Sequence, residues 1–123
     1  MLTRTFDLNL SPGGALLQIP VSQNDTASRT LVFNLFSSDG VVSLPAGTAA
    51  LIRGKRPDGV GFSNTATLSG MAVTVTVTEQ MAAVAGKVLC EIVLYKGTES
   101  SVNYQQISTA NFIIHVKHAA RFN

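Results

Sequence analysis

Apolar and polar residues alternate with a period of two along most of the chain, as half-buried strands require. The clearest case is residues 71–78, where Met71, Val73, Val75 and Val77 alternate with Ala72, Thr74, Thr76 and Thr78. Threonine is β-branched, so it favours extended backbone while remaining polar on the outer face. The same pattern puts Phe6, Leu8 and Leu10 on one face of a strand over 5–10. It puts Val88, Cys90, Ile92 and Leu94 on one face of a strand over 87–95. Residues 29–36 carry apolar side chains on both faces, which predicts a central strand or one partly covered on its outer face. Further strands are expected over 15–21, 48–56 and 60–68, with a short return over 41–44. A last strand, or a broken pair, is expected over 102–109 and 111–117.

Turn chemistry separates these segments. Ser11-Pro12-Gly13-Gly14, Ser37-Ser38-Asp39-Gly40, Ser69-Gly70 and Lys96-Gly97 interrupt the alternation. Arg56-Pro57-Asp58-Gly59 is the strongest hairpin signal: Pro presets φ, Asp bonds its own backbone and Gly takes a positive φ. Pro20 has no N–H to give a ladder, so its segment is expected at an edge or as a crossing piece. One stretch reads otherwise. Thr78 as a cap, Glu79 in the first turn and Gly86 as a stop predict a single helical turn near residues 78–84, with Met81 and Val84 in the end of the core. The sum is an all-β chain, an immunoglobulin-like antiparallel β-sandwich of about seven to nine strands. It lacks the Trp and the cysteine pair of antibody domains. At 123 residues it is expected to be one domain, residues 1–123.

Composition changes the picture in one respect. Only 13% of residues are charged, against about 25% in ordinary soluble domains. A charge-poor, Ser/Thr-rich exterior suits a subunit packed against neighbours. The net charge of +2 comes from dispersed residues and builds no field for nucleic acid. No apolar run approaches the length of a membrane span. The N-terminus has no apolar signal-peptide core, and the single cysteine allows no internal disulfide; both predict synthesis and folding in a reducing cytoplasm.

Candidate chemistry is sparse. His115 and His118 are three apart, which on a strand separates their rings onto opposite faces, so no metal site is expected. Cys90 lies on an apolar face and reads as a small hydrophobe rather than a nucleophile. Asp25, Asp39 and Asp58 fall in turn contexts, and Gly13-Gly14 precedes a strand, so it cannot cradle phosphate at a helix start. No catalytic residue and no cofactor is assigned, and the chain is not expected to be an enzyme. Arg53 and Lys55 share a strand face beside Arg56; with Tyr104 they are the candidate interface residues. The alternative to a docking role is a carbohydrate-binding or adhesin module, for which Tyr104 would be the exposed ring; glycan contact is not favoured on so few aromatics.

Several segments, in order, resemble a known family. They are Ile19-Pro20-Val21-Ser22-Gln23-Asn24-Asp25-Thr26 followed by Arg29, then Lys55-Arg56-Pro57-Asp58-Gly59, Thr78-Glu79-Gln80-Met81, Val84-Ala85-Gly86-Lys87, and Ser108-Thr109 leading to Phe112. The chain is similar to the N-terminal domain of phage baseplate upper proteins of Gram-positive phages and prophages. The resemblance implies an immunoglobulin-like domain in the tail tip. There it would anchor receptor-binding parts to the baseplate, with other tail proteins and further copies of itself as partners. It implies a virion location and no catalytic residues. Two departures stand out. Asn24 takes the place of the family's usual Gly, a residue that also tolerates positive φ. Family members continue into a helical stalk, and this chain ends at Asn123.

Overall fold

The structure is a computed structural model, and it describes residues 2–11, 16–23, 29–38, 40, 43–97 and 104–118. Eight strands follow one another: β1 (Leu2–Asn9), β2 (Gln18–Ser22), β3 (Arg29–Phe36), β4 (Ala49–Lys55), β5 (Gly61–Ser69), β6 (Ala72–Thr76), β7 (Gly86–Lys96) and β8 (Gln105–Lys117). They form one curled sheet in the order β1-β3-β6-β5-β4-β7-β8-β2. The all-β class and the strand count match the expectation from alternation.

The curl has a simple cause. β5 pairs with β4 through residues 61–66 and with β6 through residues 67–69, so one strand serves both layers and closes one side. On the opposite side the sheet ends in β1 and β2. There Arg4 donates from Nη1 to the Pro20 carbonyl, 3.3 Å away, and its guanidinium lies over the Phe6 ring at 5.1 Å. The two layers enclose a core that includes Leu31, Phe33, Val73 and Val75 from one and Ile52, Ile92, Phe112 and Ile114 from the other. Phe33 of β3 meets Phe112 of β8 with ring centroids 4.8 Å apart, and Phe6 of β1 stacks on Phe33 at 6.0 Å.

The antiparallel expectation holds for the inner pairs and not for the two edge pairs. β1 runs parallel to β3 and β2 parallel to β8, while the remaining pairs are antiparallel. Alternation fixes which side chains face inward, and it is the same for either direction. Pro20 does lie on an edge strand. The Leu17 carbonyl accepts from Ile113 N–H and the Gln23 N–H donates to the Lys117 carbonyl. Odd residues of β2 therefore face β8, and the missing donor of Pro20 falls on the free edge.

The expected helical turn and part of the expected short return are corrected. The helical turn near residues 78–84 is absent. The chain instead makes two overlapping turns, Met81 N–H to Thr78 O at 3.1 Å and Ala82 N–H to Glu79 O at 3.2 Å. Thr78 caps as expected, its Oγ1 accepting from Met81 N–H at 3.3 Å. The segment must enter β7 at Gly86, too soon for a costly helix nucleus to propagate. Met81 is fully buried at the end of the core, whereas Val84 is half-buried. Of the two alternatives for 102–109 and 111–117, the single last strand holds from residue 105 onward, since polar Ser108, Thr109 and Asn111 still pair with β7. Of the return over 41–44, residues 43–44 form no strand, and Val41 and Val42 lie outside the described residues, as does the tail after His118.

Residues from four of the segments that carry the family resemblance, Gln23, Arg56, Gln80 and Gly86 among them, converge at one end of the sandwich. Arg56 binds Asp58 through two contacts, Nε to Oδ1 at 3.1 Å and Nη2 to Oδ2 at 2.7 Å, and its Nη1 donates to the Gln80 carbonyl at 3.3 Å. Gln23 Nε2 donates to the Ala83 carbonyl at 3.2 Å. Gly86 adopts φ +128°, and a Cβ there would lie 2.8 Å from Pro57 Cγ. Arg56 and the Val60 N–H hold the Asp58 carboxyl below the usual carboxylate range. These motif residues brace the fold.

Candidate functional site

The outer face of β4, β7 and β8 carries a groove that combines exposed apolar and charged side chains, with a volume of about 720 Å³. Strand register builds it in rows. Ser63, Arg53, Glu91 and Asn111 lie side by side across four strands. Gly61, Lys55, Leu89 and Ile113 form the next row on one side, and Thr65, Leu51, Val93 and Thr109 the next on the other. A polar row is thus flanked by rows containing leucine. Leu89 is 58% exposed, the most exposed large hydrophobic residue among those described. Val93, although on this outer face, is fully buried and stands apart from the main core cluster.

Arg53 Nε donates to Glu91 Oε1 at 2.7 Å. The pair is half-exposed, so it orients the two side chains more than it stabilises the domain. Tyr95 and Tyr104 close one end, stacked with centroids 6.0 Å apart and planes 30° from parallel. Tyr104 arrives there through a bulge. Leu94 pairs with Ser108 and Tyr95 with Gln106, which leaves Ile107 without a partner on β7. By strict alternation with Ala110, Phe112 and Ile114, Tyr104 would point into the core. The extra residue reverses the alternation, so Tyr104 joins the outer face while Ile107 packs on the core.

Three of the four residues nominated from sequence, Arg53, Lys55 and Tyr104, line this groove. Arg56 does not; it is committed to Asp58 and Gln80 at the end of the domain. Leu89, Glu91 and Tyr95 were missed. Their alternation on the outer side of β7 was visible, but only the β4–β7 register places Glu91 opposite Arg53. Cys90 faces inward beneath the groove floor, its Sγ 3.6 Å from the Val88 carbonyl. Burial pushes its thiol up to about 12, which leaves it protonated and inert as a nucleophile at neutral pH. His115 and His118 are both exposed, and no cluster of three or more metal-ligating side chains occurs among the described residues.

The thiol has a testable consequence. The unfolded chain ionises Cys90 near pH 8.5 and the native chain near 12. A raised pKa favours the protonated form in the native state, so this contribution is complete below pH about 8.5 and is lost as pH rises toward 12. Urea unfolding of the wild type between those pH values is expected to lose stability faster than the Cys90→Ala variant. Parallel pH profiles for the two would contradict the assignment.

Comparison with known proteins bears on what this face serves. No curated protein matches the chain. Among solved structures it is similar to the N-terminal domain of phage TP901-1 ORF48, with a TM-score of 0.67 at 10% identity. The alignment covers 95% of this chain and 99% of the other, and at that identity it speaks for the fold alone. The BppU N-terminal domain family matches over residues 5–123, nearly the full length. The chain belongs to this family, the N-terminal domain of the phage baseplate upper protein, and its role is a structural one in the phage tail.

Proposed function

We propose that this domain works without catalysis as a docking module of the baseplate, and that it helps attach receptor-binding parts to the tail tip through the outer face of β4, β7 and β8. The observation that carries the reading is Leu89. It is a large apolar side chain held 58% exposed between Lys55 and the Arg53–Glu91 pair. An apolar centre with a charged, hydrogen-bonding rim is the anatomy of a protein interface. Tyr95 and Tyr104 each commit one ring face to the other, which favours a protein partner over a sugar needing an open platform.

The test is binding of the full chain to the other baseplate proteins of its phage. Leu89→Asp is expected to weaken binding by about tenfold or more, since truncating or charging a central anchor costs upward of about 1–2 kcal/mol. Leu89 projects outward, so the thermal midpoint is expected to hold. Unchanged binding by Leu89→Asp would remove this face from the proposal. A glycan array in which the wild type binds and Tyr104→Ala does not would favour the carbohydrate-binding reading.

A further inference from the structure

The curled sheet has two ends, and they are not equivalent. The β2 edge is blunted. Its outward-facing backbone belongs to Gln18, Pro20 and Ser22; Pro20 offers no donor, and its carbonyl is taken by Arg4. Among the described residues the β1 edge has no such protection. The Leu10 N–H donates to the Phe36 carbonyl at 2.7 Å, so even residues of β1 face β3. The backbone groups of Thr3, Thr5 and Asp7 therefore face away from the sheet, and none of them has a backbone partner among the described residues. β1 is eight residues long, with no proline, glycine or lysine.

We propose that the β1 edge pairs antiparallel with the β1 edge of a second copy of this chain, about a two-fold axis at Thr5. The strand is self-complementary in this register. Thr5 faces Thr5 of the second copy, and Thr3 faces Asp7, each pair exchanging both backbone hydrogen bonds. On the outer side the exposed Thr3, Thr5 and Asp7 then meet threonine or aspartate with no like charges opposed. On the inner side Arg4 stands opposite Phe6 of the second copy, the same cation-over-ring contact that Arg4 makes within its own chain at 5.1 Å. A register centred on Asp7 would oppose two aspartates, and the charge pattern excludes it. Pro20 keeps the neighbouring β2 edge from pairing, so the contact stays in one layer. The two halves become one continuous sheet, while the groove over β4, β7 and β8 stays free. The inference rests on the baseplate reading and adds self-association at a surface distinct from the docking groove.

The contact is small and belongs to the weak class of interfaces, so light scattering of the full chain is read at about 0.1–1 mM. The wild type is expected to approach twice the monomer mass. Thr5→Pro removes an outward N–H without touching the bonds to β3, so it is expected to give a monomer with an unchanged circular dichroism spectrum. As an independent readout, Thr5→Cys is expected to form a disulfide-linked dimer on mild oxidation, with the Cα atoms about 5.5 Å apart across the axis. Buried Cys90 does not compete. Ser63→Cys, in the groove, is expected to give no such dimer. A wild type that stays monomeric throughout this range would overturn the proposal, as would a dimer that survives Thr5→Pro or cross-links at Ser63 and not at Thr5. Binding of the Thr5→Pro monomer to other baseplate proteins separates the two ideas: if it persists, the docking face stands whatever the edge does.

Discussion

Replacing Phe112 by alanine is expected to lower the unfolding free energy by about 3–5 kcal/mol. The reason is position. Phe112 is fully buried in β8 and meets Phe33 of the opposite layer at 4.8 Å, with Phe6 behind it. Its removal opens a cavity between two layers held apart by their own backbone ladders, so neighbours can collapse into the space only partly. The loss is a large share of the about 5–15 kcal/mol available to a domain of this kind. Urea unfolding checks it through a lower midpoint at an unchanged slope. Phe36→Ala is the control. Phe36 is 44% exposed, so its removal is expected to shift stability by no more than about 0.5 kcal/mol. Equal costs at the two positions would contradict the two-layer core.

The second large effect is expected at Gly54 in β4, where the neighbours leave no room for a side chain. A Cβ there would sit 2.6 Å from the Leu89 carbonyl oxygen and 2.7 Å from the Phe62 ring. Phe62, the cross-strand partner of Gly54 on β5, covers the space that the missing side chain leaves. The ring can move, whereas the Leu89 carbonyl is part of the β7 backbone and cannot. Gly54→Ala is therefore expected to destabilise the domain by about 1–3 kcal/mol, and Gly54→Val by more. In a Phe62→Leu background the ring contact is relieved and the backbone contact remains, so the cost of Gly54→Ala is expected to shrink without vanishing. A neutral Gly54→Ala would mean that β4 and β7 lie farther apart than this register allows.

What the sequence made legible follows from what alternation encodes. Val73, Val75 and Val77, then Val88, Cys90, Ile92 and Leu94, are inward-facing in the fold as in the pattern. The Arg56-Pro57-Asp58-Gly59 turn is a hairpin turn with Gly59 at φ +87°. Strand direction was illegible because side-chain parity is blind to it, and β1 and β2 turned out to join in parallel. The 78–84 segment carries real capping chemistry at Thr78, which tertiary constraint confines to turns. Half of the site was legible for the same reason. Arg53 and Lys55 share a face by parity, but Arg56 follows the turn away from it. Tyr104 reaches the groove only because Ile107 bulges, and no local signal in the sequence marks that extra residue.

The family resemblance and the site meet at Lys55 and otherwise lie apart. Arg56, Asp58, Gln80, Gln23, Pro57 and Gly86 knit one end of the sandwich together. The groove residues Leu89, Tyr95 and Tyr104 lie outside those motif segments. Most of the motif residues thus hold the scaffold, and a site on one face of a fold need not share them.

Hydroxyl-radical footprinting of the chain, alone and within the assembled baseplate, addresses the docking face directly. Leu89, Tyr95 and Tyr104 are expected to be oxidised readily in the free chain and protected in the assembly, with exposed Phe36 on the other layer as the internal reference. Equal oxidation of Leu89 and the two tyrosines in both states would show that the groove faces solvent in the tail, and that this face carries no partner.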